Sequence, residues 1–247
     1  VRFDQKRTIP RISSVRLREI RRILSIAIIS PVFGDIEDEV PLGIEAMSGI
    51  RSGYTHRGFD LADTSLEFQF SGKVILKNGQ NLTLGISQLA EVNDTFSETS
   101  SHLEWTNPTS EKLHIGVSAT YRDRNHSTIA SGFDLGVFTT YSIHPDWQWR
   151  NDLIYDWASQ GLYGSTEIAW SYLTSNDSFI TITSGLSLIA NYEDLDGIND
   201  FYSRCSYHYG LSELVSVTPF LGASLLLDHK ENRKSSVFGG LLFQVIF

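Results

Sequence analysis

From Leu42 to Phe247 apolar side chains recur at every second position, in runs broken by polar, turn-forming residues. The runs open with Ile44, Ala46, Ile50 and Tyr54, then Leu66, Phe68, Phe70, Val74 and Leu76, and close with Val237, Leu241, Phe243, Val245 and Phe247. A period of two puts alternate side chains on opposite faces of an extended chain, so each run predicts a strand with one apolar face. Twelve such runs occur, about 16 to 18 residues apart, and none of this region has a convincing 3.6-residue helical period.

The connections alternate too. Lys77 to Gln80, Asn107 to Lys112, His144 to Trp147, Thr174 to Ser178 and Leu211 to Leu214 have tight-turn chemistry. Between them fall Gly58 to Thr64, Glu91 to Thr99, Arg122 to Ile129, Asn191 to Asp200 and Asp228 to Ser235, which are more polar, mostly longer and often acidic; only Ala158 to Gly161 breaks the rule. Short turns at one end and long loops at the other are the pattern of an up-and-down barrel in an outer membrane, with both termini in the periplasm.

The second strand face decides which solvent the apolar face meets. A soluble barrel would point its apolar parity inward, carry Lys and Glu outside, and be about a quarter charged. Here 20% of residues are charged, and the second parity is rich in small polar residues such as Gly116, Ser118, Thr120, Thr181, Thr183 and Gly185. Such residues suit a watery lumen, so the apolar parity is assigned to lipid. Lipid cannot satisfy backbone N–H and C=O groups, so the first and twelfth strands must pair. The fold expected is all-β: a closed antiparallel up-and-down transmembrane β-barrel of about 12 strands. Trp105, Trp147, Trp149, Trp157, Tyr54, Tyr121, Tyr141, Tyr155 and Tyr209 fall near strand ends, where interfacial aromatic girdles belong.

Residues 1–34 have a different character. Eight basic residues against Asp4 and Glu19 lead into the apolar stretch Ile23 to Gly34, about a dozen residues long. A membrane-spanning helix needs roughly 20, so this segment reads as a secretory signal peptide, cut before Asp35 after the small residues Val32 and Gly34. The alternative is a core helix behind a basic arm. With the signal removed, residues 35–247 form the barrel domain, and its 12 basic and 27 acidic residues give about −15. The full chain is already at −9, which argues against a nucleic-acid partner. One cysteine, Cys205, rules out an internal disulfide framework and a thiolate metal cluster.

The C-terminal run from Val237 to Phe247 alternates to a final aromatic residue and resembles the terminal signal by which bacterial outer-membrane barrels engage their assembly machinery, placing Phe247 in that role. The segment Gly49 to Asp60 resembles the opening strand of the TorF-like porins, an apolar strand with a Ser-x-Tyr step and an Arg-Gly pair entering the first loop; Ser52, Tyr54, Arg57 and Gly58 match it. That resemblance implies a small bacterial outer-membrane barrel that meets membrane lipids and lipopolysaccharide. A second resemblance is to the twelve-stranded porins for acidic oligosaccharides, whose lumen has two tracks of Arg. This chain departs from them, because parity sets Arg51, Arg57, Lys73, Arg150 and Arg204 in the lumen against Glu45, Glu67, Glu104, Asp134, Asp152, Asp156 and Glu167.

Catalysis and metal binding find little purchase. The seven His residues do not cluster, and no His-x-Ser occurs, the pattern of the outer-membrane phospholipases. Asp152 and Asp156 could act as a carboxylate pair in a dry pocket, but in a wet lumen they set the field. The acidic stretch Asn191 to Asp200 offers clustered oxygens to Ca²⁺ without EF-hand spacing, so it reads as a solvated loop. No enzyme, cofactor or resident metal is expected. The leading expectation is a porin for small solutes or ions, with Arg51, Arg57, Glu67, Lys73, Glu104, Asp134, Arg150, Asp152, Glu167 and Arg204 lining the pore. The rival is a closed structural or adhesive barrel, plugged by inward Phe138, Ile154, Tyr163, Ile189, Tyr202, Phe220, Phe238 and Leu242 and binding a surface partner through acidic outer loops.

Overall fold

A computed structural model describes residues 42–76, 79–93, 95–125, 129–227 and 233–247. The signal peptide expected over 1–34 lies outside the described residues, as do His126, His229 and much of the connection Asp228 to Ser235.

The strands in chain order are β1 (Leu42–Arg51), β2 (Tyr54–His56), β3 (Phe59–Ala62), β4 (Ser65–Ile75), β5 (Asn81–Glu91), β6 (Ser97–Pro108) and β7 (Leu113–Arg124). They continue as β8 (Gly132–His144), β9 (Trp147–Asp156), β10 (Gly161–Ser175), β11 (Ser178–Tyr192), β12 (Leu195–Gly210), β13 (Val215–Leu226) and β14 (Ser236–Ile246). Twelve of them close into an antiparallel barrel, each paired with its sequence neighbour and β1 paired with β14; β2 and β3 form a separate two-stranded sheet. The closing register runs from Glu45↔Ile246 to Arg51↔Gly240, so no edge is left in the ring.

The apolar parity faces outward. Leu84 and Leu221 keep about 60% and 62% of their surface exposed, and Phe68, Val137, Leu153 and Leu188 are likewise open. Only a lipid solvent makes such a surface favourable, since in water it would be one large aggregation-prone patch. Aromatic residues gather at both rims of this band. Trp147, Trp170 and Tyr172 stack near the turns at the end that holds the termini, and Phe133, Tyr155 and Trp157 pack together at the opposite end.

Two sequence expectations change here. Tyr54 does not join the outer girdle: β1 stops at Arg51, the parity breaks at Ser52 and Gly53, and the Tyr54 hydroxyl donates to Glu98 Oε1 at 3.0 Å. The acidic stretch Asn191 to Asp200 is no extended loop. β11 and β12 pair out to Tyr192↔Leu195, leaving only Glu193 and Asp194, both at positive φ, as the turn. Its carboxylates are therefore spread along a ladder instead of being gathered around one point.

Candidate functional site

The lumen is built from the inward parity, and its wall has a recurring pair. Gly85 faces His102, Gly116 faces Phe138, Gly185 faces Tyr202, Gly222 faces Phe238 and Gly240 faces Phe220 across neighbouring strands. In each pair the ring occupies the space a Cβ on the glycine would need. Rings laid flat over glycines thicken the wall less than rings projecting toward the axis. The bulky inward residues expected to plug the barrel thus include four, Phe138, Tyr202, Phe220 and Phe238, that lie along its wall.

What crosses the lumen is the connection between β1 and β4. At Ser52 the chain leaves the ladder, with Ser52 N donating to Gly239 O at 2.8 Å and Gly239 N donating to Ser52 Oγ at 2.9 Å. β2 and β3 then form a hairpin whose two turn residues, Arg57 and Gly58, have φ of 51° and 76°, the left-handed pair of a type I′ turn. Phe59, Leu61 and Ala62 are buried against Leu89, Phe96, Ile129, Ile189 and Tyr192. Leu89 belongs to β5 and Ile189 to β11, six strands apart in the ring of twelve, so this cluster bridges opposite walls.

Arg57 completes the span. Its Nη1 donates to Asp156 Oδ2 at 2.9 Å and to the Tyr192 hydroxyl at 3.1 Å, and its Nη2 donates to Asp134 Oδ2 at 2.7 Å. Asp134 and Asp156 stand on β8 and β9, across the ring from β1. The guanidinium also lies over the rings of Tyr163 and Tyr192, at 5.2 and 5.3 Å. Asn199 Nδ2 donates to Arg57 O at 3.1 Å. A register shift between Leu186 and Leu188 gives β12 one extra residue, which lets Asn199 and Asp200 both be buried.

Around the hairpin the charges are paired. Arg122 bonds Asp134, and Arg124 Nε donates to Glu98 Oε2 at 2.5 Å. Glu98, Arg122 and Arg124 were missed from sequence because β6 and β7 run further than their apolar runs. Continuing the parity His102, Ser100, Glu98 and Thr120, Arg122, Arg124 would have found them. His56 lies in this cluster with a buried Nε2 that has no hydrogen-bond partner among the described residues, and burial, followed by Arg122, Arg57 and Arg124, holds its pKa well below the ordinary imidazole value.

Toward the terminal end the lumen is less tightly paired and its charges separate around the ring. On the arc from β6 to β10, Arg150 bonds Asp152 at 2.9 Å, lies 3.7 Å from Glu104 and stacks 4.2 Å from the Phe138 ring centre. Glu167 accepts from the Tyr202 hydroxyl at 3.1 Å. On the arc from β12 through β1 to β4, Arg51 pairs with Glu67 at 2.5 Å, and Arg204 stacks 4.1 Å from the Phe220 ring centre. Lys73 and Glu45 share this arc, Lys73 opposite Gly43 and Thr83, and Glu45 opposite Ser71. Three carboxylates therefore surround one cation on the first arc, and three cations face two carboxylates on the second. Of the ten residues expected to line the pore, Arg57 and Asp134 join the hairpin cluster, and the other eight lie on these two arcs together with Glu45.

No known family's sequence profile matches the chain, and no curated protein matches it. Solved structures do. The KdgM porin superposes with a TM-score of 0.55 at 11% identity, covering 83% of this chain and 99% of its own. The NanC porin gives 0.53 at 10% identity over 83% of this chain and 98% of its own. An outer-membrane channel from Pseudomonas putida gives 0.53 at 10% identity over 89% and 100%. The fold is that of an outer-membrane β-barrel. At these identities the likeness speaks for architecture, and the lumen of this chain is its own.

Proposed function

We propose that the chain is a passive channel of a Gram-negative-type outer membrane, through which small solutes or ions cross a lumen of mixed charge. The observation that supports this best is the wall itself. A barrel serving only as a scaffold has no need of aromatic rings folded onto glycines, whereas a conduit gains bore from each such pair. Porins and channels among the structural neighbours agree with the reading. Charged residues on two arcs would set a transverse field, so the channel would discriminate by charge and dipole as well as by size.

On this reading residues 1–34 direct export, Phe247 engages the barrel assembly machinery, and the outward face meets lipid and lipopolysaccharide. The residues that carry the TorF-like resemblance, Ser52, Tyr54, Arg57 and Gly58, would on this reading turn the chain inward and hold the hairpin. Of the acidic outer loops through which the closed or adhesive alternative would bind a partner, the stretch Asn191 to Asp200 is mostly strand. Planar-bilayer recording of the folded, purified protein tests the proposal. Discrete conductance steps are expected, and their absence, both from the native chain and from one lacking the hairpin, would overturn it.

A further inference from the structure

We propose that the β2–β3 hairpin is a built-in gate, seated across the lumen by Arg57 as a latch and released when Arg57 leaves Asp134 and Asp156. This rests on the channel reading and adds a regulated closed state to it.

The way the hairpin is held supports the proposal. It belongs to a sheet separate from the barrel, so no ladder binds it to the wall. An isolated two-stranded hairpin is marginal in water, so its position depends on side-chain contacts. At the tip Arg57 bonds Asp134, Asp156 and Tyr192, while Asn199 Nδ2 donates to Arg57 O and Arg233 Nη2 to Gly58 O; near the base Tyr54 bonds Glu98, Thr55 bonds Ser236 and Asp63 N donates to Glu91 Oε1. Between them Phe59, Leu61 and Ala62 pack into the apolar cluster with Leu89, Phe96, Ile129, Ile189 and Tyr192, contacts that carry no directional bond.

The latch can also open without stranding a charge. Removing one partner from a buried ion pair is costly when the other is left alone. Here Asp134 retains Arg122, and Asp156 retains the backbone N–H groups of Ala158 and Ser159, at 2.8 and 3.2 Å on Oδ1. Arg57, at the tip of a released hairpin, would reach water. Both carboxylates therefore have a second set of partners when the guanidinium departs, which is what a reversible contact needs and a permanent one does not.

The Thr55 and Ser236 hydroxyl oxygens are 2.9 Å apart, close enough for a disulfide between cysteines at the two positions. The experiment is single-channel recording of Thr55→Cys/Ser236→Cys in a Cys205→Ser background, oxidised and then reduced, beside Arg57→Gln and a variant with residues 53–63 replaced by a short Gly-Ser turn. The oxidised tether should hold the channel in its low-conductance state, and reduction should restore opening. Arg57→Gln should raise the open fraction at least severalfold, and the shortened variant should stay open. If the shortened variant conducts while tethering and Arg57→Gln change nothing, the gate is overturned and the channel stands. If the shortened variant does not conduct, the channel reading falls and the gate with it.

Discussion

Gly116 of β7 lies directly across the ladder from Phe138 of β8, and the phenyl ring fills the space that a Cβ at position 116 would need. Arg150 rests on that same ring, so one missing methyl group sets the position of a lumen cation. Replacing Gly116 by Ala should push the ring and the guanidinium toward the axis. The overpacking costs about 1–3 kcal/mol, and single-channel conductance should fall. Adding Phe138→Ala to the same protein should recover it. An unchanged conductance in Gly116→Ala would mean that the bore is limited elsewhere.

The pair Arg124 and Glu98 is the most enclosed ion pair near the hairpin, with side chains only 2% and 7% exposed. Glu98→Gln leaves the guanidinium without its counter-charge and weakens the anchor of Tyr54. A loss of about 3–5 kcal/mol is expected, read as a lower temperature for loss of the compact, heat-modifiable form on gels. Arg51→Gln, whose pair with Glu67 is more open at 15% exposure for each side chain, should cost less.

The two arcs of the lumen make opposite predictions for selectivity. Arg204→Glu removes a cation from the β12 to β4 arc and should move the reversal potential in a salt gradient toward cation preference. Glu167→Lys on the other arc should move it toward anions. Both shifts should shrink as ionic strength rises, because the Debye length falls to about 10 Å at 0.1 M and about 3 Å at 1 M. Shifts of the same sign from the two variants would exclude the proposed field.

His56 makes hairpin seating depend on pH. In the seated state burial, followed by Arg122, Arg57 and Arg124, holds its pKa well below the ordinary value, and the Tyr54 ring stacks beside it. A released His56 returns to about 6.5, so the released state binds more protons. Seating is therefore fully favoured above that value and weakens as the pH falls below it, by up to about tenfold per pH unit. The open fraction should rise between pH 6.5 and 5.5 in the native chain and stay flat in His56→Asn. Asp60 of the hairpin, whose carboxyl pKa burial raises, acts in the opposite sense, and the His56→Asn control separates it.

Leu221 tests which solvent bathes the outer face. It is about 62% exposed on the apolar parity of β13. Leu221→Arg should destabilise the barrel in bilayers, by about 2–4 kcal/mol if it lies at the midplane and less nearer an interface. A neutral result would count against lipid on that face.

Much of this protein was legible along the chain because a barrel in lipid obeys a local rule. The alternation through Leu113, Ile115, Val117 and Ala119, or through Leu221, Ala223 and Leu225, fixes the outward face residue by residue. The ban on unpaired backbone in hydrocarbon then forces closure, so the β1–β14 pairing followed from pattern and solvent together. The same parity put Arg150, Asp152 and Glu167 on one face of neighbouring strands, and the register keeps them there.

The strand limits were less legible, because polar inward residues such as Arg122 and Glu98 look like loop to an apolar count. The bulge that lets Asn199 and Asp200 both be buried breaks the period itself. Strand pattern and lipid solvation thus determined, from sequence alone, a sealed twelve-stranded barrel. Only the tertiary structure decided that the first connection turns into the lumen and that Arg57 reaches Asp134 and Asp156. Those partners lie 77 and 99 residues away, and closure of the ring alone brings them within reach of a hairpin tip.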